Sequence, residues 1–158
     1  MGGFSFLRHR EFQMDIKKLD VSFYQQNEGL KETLFKPGEG GDQRGYAIVL
    51  INVNGLTFGI PLRSHMKHKH GFSTNDEKAL DYTKALIIHD PQHISGTFRI
   101  PHDEFVLIQE SKAQILQEFE EYVGGYIHMI KTASPEAISK RLKYKFSKLK
   151  NYHKELGL

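Results

Sequence analysis

At 158 residues, with 39% hydrophobic and 26% charged side chains, the chain has an ordinary globular make-up and the length of one domain with a real core. It contains no cysteine, which removes disulfides, thiol nucleophiles and cysteine-bound zinc from its chemistry. The net charge of +3 is uneven, because residues 131–158 carry eight Lys/Arg against two Glu, a local +6 that leaves the rest at −3.

Residues 1–13 show no period and read as a flexible lead-in, followed by a single domain over 14–158. Their start, Met1-Gly-Gly-Phe-Ser-Phe-Leu-Arg, lacks the apolar core of a signal peptide. Nowhere is there a run of about eighteen apolar residues, so the expectation is a cytoplasmic protein with no membrane partner. Ile16, Leu19, Val21 and Phe23 suggest a first strand, and residues 23–34 a short helix with Leu30 and Leu34 inward. Residues 37–42 hold three glycines and read as loop.

Residues 46–53 are β-branched and apolar on both parities, the pattern of a central strand covered on both faces. Asn54-Gly55 then predicts a two-residue turn into a partner strand over 56–62. Residues 71–77 read as polar loop, 82–88 as a third buried strand, and 96–100 as a fourth that ends at Pro101. A helical turn is expected over 103–110. Ile115, Phe119, Tyr122, Val123, Tyr126, Ile127 and Ile130 then mark one face of an amphipathic helix that Gly124-Gly125 should end or kink.

Ser134-Pro135-Glu136 is a helix start, with serine as cap and proline at the first position. It opens a basic C-terminal helix with the stripe Ile138, Leu142, Phe146, Leu149, Tyr152 and Leu156. Its lysines, Lys140, Lys143, Lys145 and Lys148, are candidates for phosphate contact, since a basic segment on an acidic body is the footprint of a polyanion. A solvated lysine-rich helix is the plainer alternative. Strands first and helices last predict an α+β domain, a small twisted antiparallel sheet or barrel with flanking helices.

The chemistry concentrates in residues 63–70, Arg-Ser-His-Met-Lys-His-Lys-His, where Met66 is the single apolar side chain. No core buries such a run cheaply, so it faces water or a ligand at the end of a rigid strand. His65, His68 and His70 have the residue type for zinc, yet the interleaved lysines repel a dication and no carboxylate lies in the loop, so no metal is expected. Ser64 lacks the flanking glycines of a hydrolase elbow. Phosphate chemistry fits better: Arg63 and the lysines neutralise an anion, and histidine moves protons near neutral pH. Metal-independent RNA cleavage needs little else, namely a base for the ribose 2′-hydroxyl, cations around the phosphorane and an acid for the departing 5′-oxygen. A loop that binds phosphate and cleaves nothing is the alternative on composition. Tyr46 reads as a base-stacking candidate or as core edge, and Lys84 as a backbone grip or an ordinary strand-end lysine.

The block Arg44-Gly-Tyr-Ala-Ile-Val-Leu, then Asn54-Gly55, then Phe58-Gly-Ile-Pro-Leu-Arg-Ser with His68-Lys69 after it, then Leu80-Asp-Tyr-Thr-Lys-Ala-Leu, resembles a known family. It is similar to the toxins of type III toxin-antitoxin systems, the ToxN/AbiQ-like endoribonucleases, and most of all to their TenpN-type branch. The resemblance implies a Kid/MazF-like antiparallel sheet and a sequence-specific, metal-independent endoribonuclease that leaves a 2′,3′-cyclic phosphate. It implies cellular or phage RNA as substrate and no cofactor. Inhibition would come from a small repeat RNA antitoxin of pseudoknots that the toxin itself trims. By the same resemblance Ser64 is the central active-site hydroxyl, with Arg63 before it. The family's following lysine maps to Lys67 or to His68-Lys69, and Arg44 stands in for a lysine ahead of the central strand. Arginine is no general base, so Arg44 would stabilise charge and leave proton transfer to His68 or Lys69. His65, Lys67 and His70 are then RNA-contact candidates. A non-catalytic nucleic-acid-binding module is the rival reading, and a toxin-like fold acting on a protein a third.

Overall fold

The computed structural model describes residues 14–20, 22–23, 27, 47–132, 144 and 147–158. The expected lead-in over 1–13, Arg44, Tyr46, Lys140, Lys143 and Lys145 lie outside these residues, as do nearly all of the helix expected over 23–34 and the start of the one expected from Ser134.

Asn54 and Gly55 both take positive φ, 54° and 77°, the backbone that a two-residue hairpin turn requires. They join β2 (Ala47–Val53) to β3 (Leu56–Ser64), antiparallel from Val53↔Leu56 to Ile48↔Pro61. β2 is covered on both sides, as its apolar run predicts. Val49, Ile51 and Val53 enter the main core with Phe58 and Ile60, while Ile48 packs oppositely with Leu19, Phe23, Leu86 and Ile88. Gly59 sits against that second cluster, where a β-carbon would come within 2.8 Å of Ile48 Cδ1.

β1 (Ile16–Leu19) pairs with the other edge of β2, and β7 (Ile94–Thr97) pairs outside β1. The far edge of β3 is shared. Its first half pairs with β6 (Leu86–Ile87), and its last three residues pair with β5 (Lys78–Asp81), on which β4 (Gly71–Ser73) adds the final strand. Among the described residues the result is an open antiparallel seven-stranded sheet in an α+β fold, so of the sheet and barrel expected from sequence the sheet is what they form. Residues 71–77 are not simply loop, because Phe72 buries its ring on the sheet and makes Gly71–Ser73 a strand. The buried stretch over 82–88 divides into a 3-10 turn, Tyr82–Lys84, and the two residues of β6, because Asp81 caps the turn by accepting from the Thr83 amide. The strand expected over 96–100 starts earlier, at Ile94.

α1 (His102–Glu110) and α2 (Lys112–Thr132) cover one face. The expected stripe holds at Ile115, Phe119, Tyr122, Val123 and Tyr126, with Met129 also buried and Ile127 and Ile130 at its margin. Phe119 meets Phe58 of the sheet edge to face, ring centroids 5.0 Å apart. Gly124-Gly125 neither ends nor breaks α2. Gly125 instead leaves room for the Tyr144 hydroxyl, which donates to the Tyr122 carbonyl at 3.1 Å. Toward the C-terminus the expected helix does not run through to Leu156. Ser147 accepts from the Leu149 amide and caps a 3-10 turn, Lys148–Asn151, that still buries Leu149 and Tyr152 as the stripe requires.

Candidate functional site

β5 ends at Asp81, which has no solvent exposure. A carboxylate placed there demands donors and cations. Its Oδ1 accepts from the Thr83 amide at 3.0 Å and the Thr83 hydroxyl at 2.6 Å, both supplied by the turn that Asp81 caps. The remaining demand is met from the cationic loop: Arg63 Nη1 lies 3.0 Å from Oδ2, and His68 Nε2 lies 3.2 Å from Oδ1. Register explains the arrival of Arg63, since it pairs with Ala79 where β3 meets β5.

His68 is doubly held. Its Nδ1 accepts from the His70 amide at 3.0 Å, which places the neutral ring's proton on Nε2 and directs it to Asp81. Its ring also stacks on that of His70, centroids 5.3 Å apart and 22° from parallel. With both nitrogens engaged, His68 positions the loop in this conformation rather than offering a base. Ser64 ends β3 exposed to solvent beside Arg63. His65 then takes φ 55°, a left-handed turn that is strained for a side-chain-bearing residue, and its amide donates to Glu77 at 2.7 Å. His65, Lys67 and Lys69 are exposed along the loop that follows.

Two lysines expected to contact RNA are inside the protein. Lys84 is 8% exposed within the turn that Asp81 caps, so it is not a surface grip. Lys148 has no exposure, and among the described residues its Nζ has no hydrogen-bond partner. Burial, followed by the nearby charge of Lys84, pushes it down to about 7. A side chain so placed does not sit on a phosphate at the surface, and the reason is the 3-10 turn, which folds inward against Tyr82–Lys84 where a straight helix would have pointed the residue out. Tyr122 links the two turns: burial holds its hydroxyl well above the usual phenol range, a hydrogen bond from Ser147 pulls it down, and Tyr144 and Asp81 push it up.

Beside the His68–Asp81 contact lies a cleft of about 230 Å³. Lys69 and His70 form one wall, Glu118 and Glu121 of α2 the other, with Tyr82 and Tyr122 between. Tyr82 donates to Glu118 Oε1 at 2.8 Å, and Gln114 donates to Oε2 at 3.0 Å.

The structure thus joins Arg63 and His68 on Asp81; Ser64 is the next residue after Arg63 at the end of β3, Lys69 and His70 line the neighbouring cleft, and His65 and Lys67 are exposed on the loop between. Among the described residues no group of three or more His, Asp or Glu is arranged to hold a metal ion, and no helix is long and apolar enough to cross a membrane. In the sequence Asp81 stands only as part of the Leu80-Asp-Tyr-Thr stretch with no role at the site, although an aspartate two residues before a threonine is the signal of a capped turn that needs its carboxylate. No family model, curated protein or solved structure matches the chain.

Proposed function

We propose that the protein is a metal-independent endoribonuclease, the toxin of a type III toxin-antitoxin system, acting on cellular or phage RNA in growth arrest or phage defence. A small repeat RNA of pseudoknots, trimmed by the toxin from its precursor, would hold it inactive. The observation that supports this is the tether of Arg63 and His68 to buried Asp81 beside the exposed Ser64 hydroxyl. Arg63 keeps further guanidinium donors for a phosphate, and Ser64 hydrogen-bonds the same phosphate or the attacking hydroxyl. In the reaction the ribose 2′-oxygen loses its proton and bonds to phosphorus as the bond to the 5′-oxygen breaks. The 5′-oxygen takes a proton, leaving a 2′,3′-cyclic phosphate and a 5′-hydroxyl. His65, Lys67 and Lys69, exposed on the loop, are the proton carriers this geometry leaves open.

The occupied nitrogens of His68 favour one other reading, a module that binds RNA through the same cations and cleaves nothing. The two separate in one assay, the incubation of purified chain with RNA in EDTA and chemical typing of new 3′ ends. Cyclic-phosphate ends with the wild type and intact RNA with Ser64→Ala are expected. Intact RNA with folded wild type across several buffers would sink the enzyme reading and leave the binding module.

A further inference from the structure

We infer that the cleft between the His70 loop and α2 reads a guanine base of the RNA, with Glu118 as the reading group. This deepens the RNA reading and rests on it. The cleft sets the carboxylates Glu118 and Glu121 beside the cationic loop, and a carboxylate there is costly to a polyanion ligand unless it meets base donors rather than phosphate. Glu118 is suited to that task because it is fixed before any ligand arrives: Tyr82 holds Oε1 at 2.8 Å and Gln114 holds Oε2 at 3.0 Å. Each carboxylate oxygen accepts two hydrogen bonds, so each keeps the capacity for one more.

Such a pair of acceptors selects among the bases by chemistry alone. The pairing edge of guanine offers two adjacent donors, N1–H and the 2-amino group, and meets a carboxylate in bidentate fashion. Adenine and cytosine offer one donor beside an acceptor, and uracil one donor between two acceptors, so each sets a lone pair against the carboxylate. The opposite wall supplies the rest of a nucleotide site. His70, already stacked on His68, provides an aromatic platform, and Lys69 provides a cation for the adjoining phosphate. The stack of His68 on His70 places the cleft one ring away from the Asp81 tether, so a base bound there belongs to a nucleotide next to the scissile phosphate.

The test is equilibrium binding of 3′-guanosine, 3′-inosine and 3′-adenosine monophosphates to the full chain, because inosine lacks only the 2-amino group. Wild type should bind the guanylate about tenfold or more tighter than the other two, the loss expected for one charge-assisted hydrogen bond. Glu118→Gln should bring the three within about twofold of one another, since an amide presents one acceptor and one donor. Tyr82→Phe, which releases the carboxylate without removing it, should narrow the preference and serves as the second variant. Equal affinities in the wild type, a preference that survives Glu118→Gln, or no binding at millimolar nucleotide would each overturn the inference. The two readings fail separately. A chain that binds guanylate but leaves RNA intact loses only the endonuclease reading, and one that cuts RNA irrespective of guanine loses only the cleft.

Discussion

Arg63 donates to Asp81 at 3.0 Å, so a side chain 37% open to solvent is anchored on a carboxylate with no exposure at all. Asp81→Asn keeps the shape but puts an amide donor among four donors, from Arg63, His68 and Thr83. A loss of about 3–5 kcal/mol is expected, the range for breaking a buried charged pair from one side, with a Tm lower by roughly 6–20 °C. RNA cleavage should fall with it. Asp76→Asn, at an exposed position in the turn before β5, is the control and should move stability by less than about 0.5 kcal/mol.

Ser64→Ala should separate chemistry from folding. Ser64 is exposed, and its pairing with Lys78 is a backbone matter that alanine preserves. Denaturant unfolding should therefore agree with wild type to within about 0.5 kcal/mol, while RNA cleavage disappears. A variant that cuts at the wild-type rate removes Ser64 from the reaction.

Lys148 gives the fold a pH dependence of predictable sign. Its pKa is lowered in the folded state to about 7 from an ordinary 10.5, so between those values the unfolded chain binds more protons. The contribution of Lys148 to stability is therefore complete above pH 10.5, declines as pH falls toward 7, and levels off below it. Lys148→Met removes the charge and keeps the length. It should be more stable than wild type near neutrality by a few kcal/mol, an advantage that shrinks as pH rises. Paired urea titrations at pH 7 and pH 9.5 measure the difference, and an advantage independent of pH would refute the assignment.

The two adjacent glycines of α2 should respond in opposite directions. A β-carbon at Gly124 meets open space, so Gly124→Ala should stabilise by about 0.5–1 kcal/mol through helix propensity. At Gly125 it strikes the Tyr144 hydroxyl, and Gly125→Ala should cost about 1–3 kcal/mol by displacing that ring. Tyr144→Phe combined with Gly125→Ala should recover part of the loss. Thermal melts of the four proteins decide it.

Local chemistry made some elements legible in the sequence and tertiary context hid others. The hairpin was readable because Asn54-Gly55 specifies its own turn and β2 is apolar on both parities. The α2 stripe was readable because its period survives the glycines. The glycines themselves misled, since the reason for Gly125 is a tyrosine nineteen positions on, which no local pattern announces. Lys148 misled for a related reason: lysine at a helical spacing reads as surface, and only the turn packed on Tyr82–Lys84 turns it inward. At the candidate site the loop's cations were conspicuous, while the aspartate that organises them stands more than ten positions further along the chain, one acid among several between Asp76 and Asp90. Charge attracts the eye in a sequence, and the buried counter-charge that gives it geometry does not.

β3 lies in two neighbourhoods: its first half is bonded to β2 and β6, and its last three residues to β5. β4 and β5 thus hang on the sheet by a three-residue seam, with Arg63 in the middle of it. A seam of that length opens at less cost than the whole molecule, so amide hydrogens over 78–81 should exchange with deuterium well ahead of those in β2. Each such opening draws Asp81 away from Arg63, and the frequency of opening sets how much of the time the corner is assembled.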